Sequence, residues 1–269
     1  MQEQITERER LDRHYTHLAK KYDDAFFFAE GYRNWVAELI VNELGIEEDD
    51  SVIDLGGGTG FSAKMVHEKA GLQKDILCVD PCIEMLEGAR MLMGVSALCS
   101  DALSFTRRED LRYDKILIKE AVHHFKDRIG KWKGIYRQLY PNGKLLIVTR
   151  PPQVDFPFFK AALRSFEQCQ PHYDILRTEL ESAGFHVGVI VRAYPLKVNK
   201  EYWFEKIRQR FMSNLADFDG EELNQGLREL EKEYKAKETL DFADRLVFIV
   251  GSKSRVVPSI PNKSPCLLS

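Results

Sequence analysis

From Ser51 onward, short apolar runs alternate with amphipathic stretches, and this alternation limits the fold more than any other feature. The runs are "SVIDL" (51–55), "DILCVD" (75–80), "VSALCS" (95–100), "YDKILIKEA" (113–121), "GKLLIVTR" (143–150), "FHVGVIVRA" (185–193) and "RLVFIVGS" (245–252). Helical spacing fills the gaps between the first six, as in "SAKMVHEKA", "IEMLEGARML" and "RIGKWKGIYRQLY". Only the gap between the third and fourth runs is too short and polar to assign. Parallel strands need crossover connections, and helices supply them. The expectation is an α/β chain: a doubly wound, mostly parallel seven-stranded sheet with helices on both faces.

Two regions break the alternation. In residues 1–50, Leu11, Tyr15, Leu18 and Tyr22, then Phe28, Tyr32, Trp35 and Leu39, recur at helical spacing. They predict two helices joined by a bend at "YDDAFFF", forming an N-terminal cap segment. In residues 199–239, Phe204, Ile207, Phe211 and Leu215 suggest one helix, and Leu223, Leu227, Leu230 and Tyr234 a second. This pair sits between the last two strands and is read as a helical insertion into a domain spanning 51–252. The remainder, 253–269, is rich in Pro and Ser and is expected to be a flexible tail.

Composition narrows the function classes. The 269 residues are 44% hydrophobic and 30% charged, with a net charge of −3, so no basic surplus exists to neutralise a nucleic-acid backbone. The charged N-terminus lacks the apolar core of a secretory signal, and no run approaches the roughly 20 apolar residues that span a bilayer. Five cysteines, Cys78, Cys82, Cys99, Cys169 and Cys266, show neither disulfide nor zinc spacing. A cytoplasmic location and no metal site are the expectation.

The loop after the first run, "DLGGGTGF", requires close backbone approach. It fails as a dinucleotide fingerprint because Phe61 stands where the third glycine would fall, and as a P-loop because no Gly-Lys-Ser/Thr follows. What stands is Asp54-x-Gly56-x-Gly58-x-Gly60. Here the chain resembles the class I S-adenosylmethionine (SAM)-dependent methyltransferases, whose first motif is an acidic residue followed by Gly-x-Gly-x-Gly. The resemblance covers most of 51–252 in motif order: "VIDLGGGTGF", "LCVDP", "CSDAL", "YDKILIKEAVHHF", "LYPNGKLLIV" and "LESAGF".

That resemblance implies SAM as cofactor. It puts the glycine loop against the methionine part, Asp80 on the ribose hydroxyls, and Asp101 and Ala102 near the adenine, with Ile83 or Cys82 packed on it. Residue chemistry alone leaves alternatives. Asp54 could cap a helix, Asp80-Pro81 and Asp101 could be plain turns, and Ile83 could be core. Asp80 also suits the ribose of NAD, which Phe61 argues against. Tyr22 resembles the tyrosine that faces SAM or acceptor in similar enzymes, or is a core aromatic.

Methyl transfer from a sulfonium is an in-line displacement, so alignment and water exclusion matter most, and some acceptors need a base. "KEAVHHF" offers Glu120 and His123 as catalytic candidates, with a structural role for His124. Arg150 could clamp an acidic acceptor or end a strand in solvent. The motifs of amide, base-amine and arginine methyltransferases are absent, leaving a small-molecule acceptor as the expected partner. Alternatives are transfer of another part of a SAM-related donor and a non-catalytic subunit serving a partner protein. Finally, Cys266-Leu267-Leu268-Ser269 has the form of a prenylation signal or is a chance terminus. If modified, it would give weak membrane attachment.

Overall fold

The computed structural model describes residues 13–16, 19, 22–25, 29 and 31–254. The elements run α1 (Tyr22–Ala25), α2 (Tyr32–Leu44), β1 (Val52–Leu55), α3 (Phe61–Ala70), β2 (Ile76–Asp80), α4 (Ile83–Ala89), β3 (Val95–Cys99), α5 (Ala102–Thr106) and β4 (Tyr113–Lys119). Then come α6 (Arg128–Gln138), β5 (Leu139–Thr149), α7 (Lys160–Cys169), α8 (Tyr173–Ser182), β6 (His186–Asn199), α9 (Lys200–Arg208), α10 (Gly220–Glu233) and β7 (Thr239–Ser252).

The seven strands form one sheet in the order β3-β2-β1-β4-β5-β7-β6. Pairs among β1 to β5 are parallel, and β7 runs antiparallel to both of its neighbours. Strand residues alternate between two cores. Val52, Leu146 and Val148 join one cluster with α2, α3 and α7, whereas Ile53, Leu55, Leu145 and Ile147 join the other with α6 and α8. A sheet covered on both faces needs near-continuous apolar strands, as the runs "SVIDL" and "GKLLIVT" have. The chain winds outward from β1 to β3, then returns to β4. Beyond the carboxyl ends of β1 and β4 this reversal opens a crevice, where open α/β sheets place their ligands.

Three expectations are adjusted. The strand pair β6–β7 is much longer than the apolar runs implied. Beyond its last contact with β5 at Thr149↔Val247 it continues for eight further pairs, from Arg192↔Leu246 to Asn199↔Thr239. The polar alternation of this ribbon hid it from an apolar count. The first inserted helix ends at Arg208, and Phe211 and Leu215 follow it in a loop and a 3-10 turn, Ser213–Asp217, although both are fully buried. The unassigned gap holds the five-residue α5, capped by Asp101. Leu11, Leu18, Phe28 and the Cys266 tail lie outside the described residues. No helix among the described residues is long and apolar enough to cross a membrane.

Candidate functional site: two joined chambers beneath a cap

The glycine loop turns from β1 into α3. Gly56, Gly58 and Gly60 have φ of 80, 57 and 72°, conformations that only glycine adopts readily. A Cβ on Gly56 would lie 2.6 Å from Ala121 Cβ, and one on Gly60 would lie 2.8 Å from Ala89 Cβ. These two glycines therefore clear room for the protein's own atoms, whereas the sequence reading had them clearing room for a ligand. Asp80 fastens the loop: its Oδ2 accepts from Gly58 N at 3.0 Å and its Oδ1 from Cys82 N at 2.8 Å.

A first chamber lies between this loop, α1, α2 and the end of β4. Tyr22, Arg33, Asp54, Gly56, Gly58, Lys119 and Glu120 are among its lining residues. Asp54 is its most unusual group. It is 1% exposed, yet neither carboxylate oxygen has a hydrogen-bond partner. Burial pushes its carboxyl up to about 7, with Asp80 adding and Lys119 opposing. Lys119 is itself held below the usual lysine range by burial. Unpartnered buried carboxylates are costly and rare, so Asp54 fits a hydrogen-bond-donating, cationic group. The segment α1 covers the loop: Thr59 Oγ1 donates to Asp23 Oδ1 at 2.9 Å, and Lys206 Nζ of α9 donates to Asp24 O at 3.0 Å.

Glu120 and Arg150 belong to a buried ion network. Arg150, 3% exposed, gives Nε and Nη2 to the two oxygens of Asp244, each at 2.8 Å, and Nη1 to Glu120. Tyr32 Oη donates to Asp244 Oδ2 at 2.6 Å. The solvent-facing reading of Arg150 does not hold: it is buried, and three of its five N–H donors go to protein carboxylates. Asp244 was not foreseen. Its signal was an acid within "FADRLVF", just before the apolar run that marked the strand. Glu120 sits at φ 54°, a left-handed conformation uncommon for glutamate, and its Oε1 is buried without a partner. Burial raises its carboxyl, with Arg150 and Lys119 opposing.

A second chamber shares Tyr22, Glu120 and Arg150 with the first. Its remaining walls include Tyr15, His123, Phe166, Phe211 and Asn214, so the N-terminal segment, α7 and the insertion all contribute. His123 stands on the 3-10 turn Val122–His124 with Nδ1 buried and unpartnered. Burial, reinforced by His124 and Arg150, holds its ring well below the usual histidine range, so it is neutral at pH 7 and a weak base. His124 Nε2 pairs with Tyr15 Oη at 2.7 Å, tying the N-terminal segment to the exit of β4.

The structure brings Tyr22, Asp54, Gly56, Gly58 and Glu120 into the first chamber and His123 into the second. Asp80, Ile83, Asp101 and Ala102 line neither. They lie beside the loop at the ends of β2 and β3, where Ile83 starts α4 with 49% of its surface exposed. Asp101 caps α5 by accepting from Leu103 N and Ser104 N. The helix-cap reading that the sequence weighed for Asp54 thus falls to Asp101. Gly60 packs on Ala89 behind the loop. No group of His, Cys, Asp or Glu that could hold a metal occurs among the described residues.

Residues 53–147 match the methyltransferase domain family. An uncharacterised methyltransferase of Schizosaccharomyces pombe is 26% identical over 140 residues, 52% of this chain and 54% of its own length. The Bacillus subtilis methyltransferase YdaC is 27% identical over 126 residues, 43% of this chain and 64% of its own length. The chain thus spans between half and two thirds of these curated relatives. Among solved structures, Haemonchus contortus phosphoethanolamine N-methyltransferase 2, in complex with phosphomonomethylethanolamine and S-adenosylhomocysteine, superposes with a TM-score of 0.61 at 19% identity. That match covers 95% of this chain and 62% of the other. With the strand order and glycine loop, the match identifies residues 53–147 as a methyltransferase domain, on a sheet with the architecture of the class I SAM-dependent methyltransferases.

Proposed function

We propose that the protein transfers a methyl group from SAM to a small-molecule acceptor and releases S-adenosylhomocysteine. The observation that carries this reading is the unpartnered, buried carboxylate of Asp54 beside the glycine loop. SAM, when bound, supplies a methyl group already activated on a sulfonium. The protein's own residues then have three tasks. Asp54 accepts hydrogen bonds from the ammonium of the amino-acid part, which its orphaned oxygens fit. Asp80 retains lone pairs for ribose hydroxyls after taking the two backbone N–H groups, and Ile83 offers an exposed apolar surface beside it for a flat ring. Glu120 and His123, at the junction of the chambers and in the second one, orient the acceptor. The cap of α1, α9 and the Ser213–Asp217 turn excludes water, so that water does not compete with the acceptor for the methyl group.

Titration calorimetry with SAM tests the reading, on the wild type and on Asp54→Asn, with NAD as control. Saturable SAM binding that weakens about tenfold or more in the variant is expected, as for loss of a charge-assisted hydrogen bond. Folded wild-type protein that ignores SAM, or binds NAD equally, would remove the basis of the proposal.

A further inference from the structure

We propose that the methyl acceptor is an amine that carries no phosphate or carboxylate group, held in the second chamber by Glu120 Oε1 and Asn214 Oδ1. This rests on the methyltransferase reading above and narrows it.

The lining of that chamber lacks a complementary ligand of one particular sign. Glu120 Oε1, His123 Nδ1 and Asn214 Oδ1 are all buried without hydrogen-bond partners. Two of the three can only accept hydrogen bonds, and the neutral imidazole nitrogen can also accept. Asn214 is oriented by its own Nδ2, which donates to Ala162 O at 3.2 Å, and this leaves the oxygen turned the other way. Such buried acceptors are costly unless a donor-rich ligand meets them.

The charge balance points the same way. The one cationic side chain among the described lining residues is Arg150. Its Nε and Nη2 are held by Asp244 and its Nη1 by Glu120. Two carboxylates therefore already balance its single charge, and the carboxylate oxygen next to it would repel an anionic acceptor. Phe166 and Phe211, with Tyr15 and Tyr22, surround the space with aromatic faces, which favour an alkylammonium or its apolar substituents. A phosphorylated or carboxylated acceptor would meet, among the described lining residues, no cation that is not already paired with carboxylates.

The chemistry balances on the residues present. An ammonium entering the chamber gives one proton to Glu120 Oε1 and becomes a neutral amine. The nitrogen lone pair forms the new N–C bond to the methyl carbon. The C–S bond breaks with its electron pair going to sulfur, which leaves as the thioether. The product is a methylated ammonium, and the proton on Glu120 returns to solvent when it departs.

The test uses the full chain loaded with S-adenosylhomocysteine and a fragment set of matched size: aryl-alkyl amines, the corresponding alcohols and carboxylates, and phosphoethanolamine. Ligand-observed NMR reads binding, and labelled SAM reads methyl transfer. Amines should dominate the hits and accept label. Glu120→Gln should weaken them about tenfold or more, as for loss of a charge-assisted hydrogen bond. Because Glu120 also pairs with Arg150, Asn214→Leu provides an independent arm: it should weaken amines severalfold while S-adenosylhomocysteine affinity is unchanged. Preference for carboxylates, phosphoethanolamine or alcohols, or an absence of amine enrichment, would overturn the inference and leave the methyltransferase reading standing. Failure of the wild type to bind S-adenosylhomocysteine would overturn both.

Discussion

Two aspartates end up buried at the carboxyl side of the sheet, and they have opposite fates. Asp244 is 0% exposed, and Arg150 and Tyr32 satisfy it with three hydrogen bonds of 2.6–2.8 Å. Asp54 is 1% exposed and has none. Burial alone therefore does not distinguish scaffold from site; partnership does. Asp244 is neutralised by the fold, so its charge helps to join β7, β5 and α2. Asp54 has no such partner, and the fold meets its desolvation by favouring the protonated carboxyl.

The contrast breaks first at the scaffold. Arg150→Met leaves Asp244 and Glu120 as uncompensated buried charges and should cost about 3–5 kcal/mol in urea unfolding. A loss below about 1 kcal/mol would mean that the network is incidental to the fold.

The opposite sign is expected at the site. Asp54 rises from 3.8 to about 7 on folding, so the fold favours its protonated form. Its contribution is fully present below pH 3.8 and is lost as pH rises through 7. Asp54→Asn should therefore stabilise the ligand-free protein at pH 8, on the order of 2–4 kcal/mol, and by less at pH 5. Thermal unfolding at the two pH values checks this, and destabilisation at pH 8 would contradict the account of Asp54. The same reasoning predicts that SAM binding near pH 6 releases a fraction of a proton from Asp54. Calorimetry in buffers of different ionisation enthalpy would detect it. The smallest effect belongs to Tyr32→Phe, which removes one of three bonds to Asp244 and should cost about 1–2 kcal/mol.

The same contrast marks what was legible in the sequence. Asp54 and the glycine loop are contiguous, and the succession of strands along the chain, the loop and the Asp80 turn all follow from patterns a few residues long. Arg150 and Asp244 are 94 residues apart, and no local pattern announces their pairing. Arg150 was consequently read as a clamp or a surface group. Asn214 escaped for a similar reason: it lies just past the end of a helix whose spacing seemed to continue through Leu215, and only the insertion's return onto α7 gives it a role. The glycines were read as allowing close approach to a ligand, but Ala121 and Ala89, which crowd Gly56 and Gly60, lie 65 and 29 residues away.

The projecting ribbon of β6 and β7 makes the insertion a load on a lever arm, rooted where Asp244 meets Arg150. Because strand side chains alternate with a period of two, changing both ribbon strands by two residues would move the insertion along the arm and keep its inward face. A change of one would turn that face away from the chamber. Chains of this architecture could therefore exchange the walls of the second chamber in two-residue steps at the ribbon, while the sheet and its glycine loop stay as they are.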